Sequence, residues 1–395
     1  MNQKEYILFN PGPVHHFFFV PIALIWNLLK TNEIVLILDE SYKDNLFFLK
    51  IKNLPQIKDI IFIQEKNSLK NYMNLKKILS KVFSDYNFSK VYTHNPSYVS
   101  SYAIVLLSKK LQPGAKRIYF QVAREVISYP KEAEIKLNIL IKNFKYKFLP
   151  RFFVKKIIKL KVKIKFLIVF KLLPLLTFGE TFAPWLNPYY PKDSYTKKFI
   201  DKGFCRGKQD QTIFLDDKVI NYMHNFFVGT KFNLSKISLE RYSNEIYSYF
   251  FENSPSLLPT ISIFPTWGVF KNNLDNDWFK IIKELRKSCP NHRIQIKFHP
   301  GVQDKYIEEI FTNISKKVPD IKILPRSTPA FKMLMDSSII IGDTTTVLWF
   351  ATYYKNKQVF SLDLFNFLDG DCLKLYSDKL SYIKNINELI LIDEN

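Results

Sequence analysis

Two short runs carry the residues best suited to chemistry. One is Arg293-Ile-Gln-Ile-Lys-Phe-His299-Pro300, and the other is Ile339-Ile-Ile-Gly342-Asp343-Thr344-Thr345-Thr346. Each starts as an apolar, β-branched strand and ends abruptly in polar residues ahead of a helical pattern. In an open parallel sheet, ligands sit at the carboxyl ends of strands. At the first of these ends Pro300 stops the strand. His299 then offers an imidazole that can donate to a phosphate oxygen or act as an acid toward a leaving phosphate. Lys297, two residues earlier on the same strand face, adds positive charge. At the second end Gly342 permits a tight turn. Asp343, Thr344, Thr345 and Thr346 follow at the start of a helix, where unpaired N–H groups and the helix dipole favour an anion. A simple N-cap needs one such residue, and four in a row exceed that need. Together the two runs predict a grip on the phosphate or diphosphate of a nucleotide-activated donor.

The elements that must position these residues follow from a regular alternation. From Thr260 onward, strand and helix patterns alternate: strands at Thr260–Phe264, Arg293–Phe298, Ile321–Leu324, Ser338–Ile341 and Gln358–Leu362, and helices at Asp277–Ser288, Tyr306–Lys317, Pro329–Asp336 and Thr345–Tyr354. The first third behaves alike, with strands at Tyr6–Asn10, Glu33–Leu38, Ile57–Ile63, Lys90–Thr93 and Arg117–Val122. Helices are expected there at His15–Leu29, Asn74–Phe83 and Tyr98–Leu111. Strands separated by helices imply parallel βαβ units with right-handed crossovers. The expected class is therefore α/β, with two Rossmann-like doubly wound domains facing across a cleft that holds the ligand. The expected boundaries are an N-terminal, acceptor-side domain over 1–205, a linker region over 206–257, a nucleotide-donor domain over 258–375 and a tail over 376–395.

Length and composition agree with that division. The chain has 395 residues and 47% hydrophobic content, enough for two cores. The formal net charge is +22, and only eight of the 58 basic residues are arginine. Lysine, asparagine, isoleucine and phenylalanine are abundant together, as an AT-rich coding sequence would produce, so much of the charge sits on solvated faces. Between residues 135 and 179, however, there are twelve basic residues and no acidic one, interleaved with apolar residues. That pattern suits a helix lying on anionic lipid, and also a solvated helical excursion with snorkelling lysines. The former reading places the chain in the cytoplasm, peripheral on the inner membrane. A nucleic-acid role would want arginine-rich or aromatic-platform motifs, and no such module is present. Cys205, Cys289 and Cys372 are isolated and show no metal or disulfide spacing. No signal peptide is expected, since Tyr6–Asn10 already reads as a strand, and no segment reaches the roughly 18 to 20 apolar residues of a membrane span.

A His-Pro after one strand and an acid-plus-hydroxyl cluster after a later one resemble the donor domain of bacterial sialyltransferases and polysialyltransferases. They are similar also to CDP-glycerol glycerophosphotransferases of teichoic acid synthesis. The likeness covers roughly residues 258–364. It implies the GT-B fold, with donor phosphate contacts from His299 and from Thr345 and Thr346, or Thr344. It further implies an inverting, metal-independent transfer, most simply of sialic acid or a related sugar from a CMP donor. The acceptor would be a surface glycan or glycolipid such as capsule or lipooligosaccharide. Glycerophosphate transfer from a CDP donor is the alternative within the fold, and a non-catalytic basic protein binding membrane or nucleic acid is the alternative outside it. The sialyltransferase pattern places an acidic pair and a glycine after a late N-domain strand. Here that place reads Ala123-Arg124-Glu125-Val126, so only Glu125 matches as general base, and an ion pair with Arg124 or a lysine accounts for it equally well. The His-Gly of the glycerophosphotransferases is absent.

Three further features stand beside these. His15 and His16 follow Pro11-Gly12-Pro13 in the first strand–helix loop, where one of them could deprotonate an acceptor hydroxyl. Thr266 and Gly268 follow the first strand of the second domain and suit either a donor-binding loop or a plain one. Asp369-Gly370-Asp371 spells a DxD triplet, but it falls after the last expected strand, so no essential metal is expected.

Overall fold

The computed structural model describes residues 4–12, 19–66, 68–93, 98–120, 150–179, 212–216, 233–237, 245–249, 259–265, 274–298, 305–325, 328–342, 346–351, 354, 357–362 and 380–383. The chain divides into two compact units, Met1–Leu239 and Glu240–Asn395.

The first unit is built on a seven-stranded parallel sheet. Its strands are β1 (Glu5–Phe9), β2 (Ile34–Asp39), β3 (Ile57–Ile63), β4 (Asn87–Thr93), β5 (Lys116–Phe120), β6 (Thr212–Asp216) and β7 (Asn233–Ile237). Their spatial order is β3-β2-β1-β4-β5-β6-β7. The chain starts inside the sheet, winds out to β3, then returns past β1 and winds out the other way. The helices are α1 (Phe19–Leu29), α2 (Leu46–Ile51), α3 (Leu69–Asp85) and α4 (Val99–Leu111). β2 is buried along Ile34–Leu38, as expected for a strand covered on both faces. The edge strand β3 is half-exposed over most of its length.

Between β5 and β6 lies a helical excursion. It holds α5 (Arg151–Leu167), a π turn (Ile168–Leu172) and α6 (Leu173–Phe178), contiguous in chain. The π turn has a local cause. Pro174 has no N–H and its ring collides with the carbonyl four residues back in a regular helix. Widening the preceding turn relieves that collision, and the Leu173 N–H reaches back to the Ile168 carbonyl. In this register the Val169 carbonyl would look to Pro174 for a donor. The hydroxyl of Tyr72, a buried residue of α3, supplies one at 2.5 Å. Gly179, at φ 76°, ends the helix in the left-handed region open to glycine.

The second unit holds a six-stranded parallel sheet: β8 (Thr260–Phe264), β9 (Arg293–Ile296), β10 (Ile321–Ile323), β11 (Ile339–Gly342), β12 (Gln358–Leu362) and β13 (Leu380–Ile383). The order is β10-β9-β8-β11-β12-β13. Its helices are α7 (Leu274–Ser288), α8 (Lys305–Lys317), α9 (Ala330–Asp336) and α10 (Thr346–Ala351). Strand alternation splits the sheet into two faces. Ile261, Ile263, Ile294, Ile296, Phe298, Ile339 and Ile341 pack with Trp278, Ile281, Ile282 and Leu285 of α7 and Phe311 and Ile314 of α8. Phe311 sits at the middle, its ring 5.7 Å from Trp278 and 5.1 Å from Phe298. The intervening residues, Ser262, Gln295, Lys297 and Ser361, are also buried but polar.

Two expectations about organisation change. The stretch 206–257, expected as a linker, supplies β6 and β7, and the division falls at Leu239 and Glu240. The region after 376, expected as a tail, supplies β13, which pairs with β12. All three strands are short and moderately polar, and pairing with a sheet already present defines them more than their own pattern does.

Candidate active site

In the second unit, the strand order reverses between β8 and β11. That is where a crevice opens beyond the carboxyl ends of a doubly wound sheet. Register places the two sequence runs there. Ile296 pairs with Ile263, and Gly342 pairs with Phe264. Lys297, one residue past Ile296, donates its backbone N–H to the Ile263 carbonyl at 3.0 Å. Lys297, Phe264 and Gly342 are thus level at one sheet edge, on three adjacent strands. Neighbouring strands lie about 4.8 Å apart, so the tips of β9 and β11 are about 10 Å apart. His299 follows Lys297 by two residues, and Asp343 follows Gly342 directly.

Lys297 itself is buried, and its Nζ donates to the Phe298 carbonyl at 3.3 Å. Thr346 is the first residue of α10. The other expected donor contacts, His299, Pro300, Asp343, Thr344, Thr345, Thr266 and Gly268, lie outside the described residues, as do Glu125, His15 and His16 and the Asp369-Gly370-Asp371 triplet.

Behind this edge runs a polar file that sequence reasoning passed over. Gln295 Nε2 donates to Ser262 Oγ at 2.7 Å, the Ser262 and Ser337 hydroxyls are 2.5 Å apart, and Ser337 Oγ donates to the Met333 carbonyl at 2.6 Å. These bonds tie β9 and β8 to the end of α9. Buried hydroxyls and amides are tolerated because each finds a partner, and the file pins β9, which carries the first tip, to β8 and to the residue that ends α9 two positions ahead of β11. Its signal was the Ile-Ser-Ile and Ile-Gln-Ile alternation, which marks two buried faces of different chemistry. At the opposite edge, Lys357 Nζ donates to the carbonyls of Ser337 at 2.5 Å and Met335 at 3.3 Å. Burial lowers its pKa to about 8, and nearby Asp336 acts in the other direction.

The first unit repeats the topology with different residues. Its order reverses between β1 and β4. Asn10, at the tip of β1, donates its backbone N–H to the Tyr92 carbonyl at 3.0 Å. Its Oδ1 accepts from Gly12 N at 2.9 Å, an Asx turn that sets the chain toward α1. Gly12 sits at φ 75°, a conformation glycine takes without penalty. At the tip of β4, Thr93 is buried, and its Oγ1 has no hydrogen-bond partner among the described residues.

Two carboxylates join this edge. Asp39, at the end of β2, accepts from Ser41 N at 3.0 Å and from Glu65 N at 3.2 Å. Glu65, just past β3, accepts from Ser100 N at 3.1 Å. Ser100 is in the first turn of α4, whose N-cap residue Tyr98 makes no side-chain capping bond. Glu65 therefore caps α4 from another element. Burial raises the Glu65 carboxyl above its ordinary value, against hydrogen bonding from Ser100 and Val99, and Asp39 adds to the rise. Neither Asn10 nor Glu65 was singled out in the sequence. The signal for Asn10 was its place ahead of Pro11-Gly12; Glu65 carried no local signal, because its partner is 35 residues away. Among the described residues no group of three or more His, Cys, Asp or Glu is placed to hold a metal ion.

The chain matches no protein-family model and no curated protein. Among solved structures it is similar to a UDP-GlcNAc 2-epimerase from Methanocaldococcus jannaschii, at 11% identity and a TM-score of 0.56, over 98% of this chain and 90% of that one. It is also similar to Anabaena HepE in complex with UDP-glucose, at 7% identity, a TM-score of 0.49, and coverage of 98% and 87%. A third is the GT-B domain of a sialyltransferase from Photobacterium damselae, at 10% identity, a TM-score of 0.48, and coverage of 96% and 99%. Identities this low speak of fold alone. The α/β architecture of two Rossmann-like, doubly wound parallel sheets is the GT-B fold.

Proposed function

We propose that this protein is a GT-B glycosyltransferase that uses a nucleotide-activated sugar. One observation carries the reading: β9 and β11 end level at the switch edge of the second sheet, one strand apart. The segments bearing His299 and the 343–346 cluster therefore leave from the same edge, at a separation that side chains reaching from both tips to one phosphate can close. In this reading His299 and the hydroxyls of Thr344, Thr345 and Thr346 stabilise the phosphate as it departs. Phosphate charge is met by these side chains, so the reaction needs no metal. Glu125, His15 or His16 takes the proton from the acceptor hydroxyl, and inversion follows from direct attack. The sequence resemblance supports a CMP-linked sialic acid or related sugar as donor and a surface glycan or glycolipid as acceptor, with the enzyme working in the cytoplasm. Polyol phosphate transfer from a CDP donor is the runner-up on the same resemblance.

A thermal-shift panel of CMP, CDP, UDP and GDP tests the reading. A ligand at one hundred times its Kd stabilises the native state by about 2.7 kcal/mol. Selective stabilisation by CMP supports the sugar donor, and by CDP the runner-up. UDP belongs in the panel because two of the similar structures carry UDP-sugar names. No shift with any nucleotide overturns the proposal. In a donor-hydrolysis assay, His299→Ala is expected to lower turnover about 100-fold or more and to remove one limb of the pH–rate profile. Unchanged turnover removes His299 from the mechanism.

A further inference from the structure

The helical excursion of the first unit has two apolar faces, and only one is used by the protein body. Val154, Ile158, Val169 and Phe178 are buried. Tyr72 holds this face through the Val169 carbonyl and through a ring contact with Phe178 at 6.1 Å. The second face looks outward. Phe153, Ile157, Leu160, Ile164, Leu167 and Ile168 are each 41% to 59% exposed. Their spacing of four, three, four, three and one keeps all six within about 100° of arc at 3.6 residues per turn. Soluble monomers expose large apolar side chains singly as a rule, and a contiguous stripe marks an interaction surface.

Charge says what covers it. Lys156 and Lys163 border the stripe on one side, Lys161 borders it on the other, and all three are exposed. No acidic residue occurs between 135 and 179. An apolar stripe flanked on both sides by lysine is the pattern of a helix lying in a bilayer interface, with methylene stems along the acyl region and ammonium groups at lipid phosphates. A second copy of the chain is disfavoured, since a two-fold contact through this face would bring the two sets of lysines together. The helix lies along such a surface rather than through it, for among the described residues no helix is long and apolar enough to cross a membrane.

We propose that the Phe153–Ile168 stripe is a docking face for an anionic lipid bilayer, with the flanking lysines at the headgroup phosphates. This rests on the excursion alone and stands whether or not the protein transfers a sugar. The test is co-sedimentation of the full chain with vesicles of phosphatidylglycerol and phosphatidylcholine in equal parts, against vesicles of phosphatidylcholine alone. Wild type is expected to bind the anionic vesicles and to release them as salt rises. The triple variant Ile157→Ser, Leu160→Ser, Ile164→Ser is expected to bind on the order of tenfold more weakly or worse, while still giving a single cooperative melt because the changed side chains are about half exposed. Lys156→Glu with Lys163→Glu is expected to weaken binding at low salt. Leu160→Trp should add blue-shifted emission, over the wild-type signal, when anionic vesicles are present. Equal binding of wild type and the serine variant overturns the proposal, as does Leu160→Trp emission that vesicles leave unmoved. A vesicle-free dimer that the serine variant turns into monomer overturns it as well, in favour of self-association.

Discussion

The two sheets share a winding rule but place different side chains at their switch edges. In the first unit the polar groups at the edge include Asn10, Asp39, Glu65 and Thr93, with Lys66 next to Glu65 in the chain and Lys43 over the Phe62 ring of β3. In the second the edge has Lys297, followed in the chain by His299, and Gly342, followed by Asp343 and three threonines. A parallel sheet dictates only where loops gather; side chains decide whether the place suits an anion or a hydroxyl to be deprotonated.

The comparison breaks most severely where one sheet loses its support and the other does not. Phe311 is central to the α7–α8 layer over the second sheet, and Phe311→Ala should cost that unit about 3–5 kcal/mol. Denaturant unfolding followed by hydrogen exchange should show β8–β12 amides losing protection while β1–β4 amides keep it. The first unit has its counterpart in Tyr72→Phe, which strips the donor from the Val169 carbonyl beside Pro174. A buried carbonyl left without a donor costs about 1–3 kcal/mol, read as faster exchange across α5 and α6.

Smaller changes sharpen the contrast. Glu65→Ala should lose about 1 kcal/mol, as removal of a helix cap does, whereas Glu65→Gln keeps an oxygen for Ser100 N. Because the folded Glu65 carboxyl titrates above its ordinary value, its favourable contribution is complete at low pH and is lost as pH rises through the raised value. Wild type should therefore lose ground to Glu65→Gln as pH climbs past 4.5, in thermal melts at matched ionic strength. Lys357 has the mirror-image sign. Its folded value of about 8 lies below the ordinary 10.5, so between those values the unfolded chain binds more protons. Wild-type stability relative to Lys357→Met should then rise with pH across that window. Partial exposure limits the slope to a fraction of the roughly 1.4 kcal/mol per pH unit that one whole proton gives.

How much of this was legible in the chain depended on how far apart the interacting residues are. β2, β3, β8 and β12 are mostly apolar or β-branched runs between turn signals, and their limits fall within a residue of those read from sequence. β6, β7 and β13 have no such pattern, so a long irregular stretch was expected where the sheets in fact continue. α2 is six residues long, too short for periodicity to show. The level placement of the β9 and β11 tips followed from strand order, which right-handed crossovers constrain strongly. Glu65, by contrast, matters through Ser100, and the Gln295–Ser262–Ser337 file through residues that meet only when β9, β8 and α9 assemble. Such contacts leave no periodic mark.

The excursion between β5 and β6 also bears on how the chain comes together. Ile118 pairs with Thr212 although the whole helical insert lies between them. Entropy penalises so long a closure only slowly, about 0.6 kcal/mol for each doubling, so the finished sheet tolerates the insert easily. Kinetics is less forgiving, because a pairing this distant in sequence waits for the chain to find its own end. During synthesis β1 to β5 can assemble while the insert is still emerging. That leaves β6 and β7 as the last strip to zip onto an edge already formed, and makes the flank of β5 the stretch most exposed to mispairing in the interval.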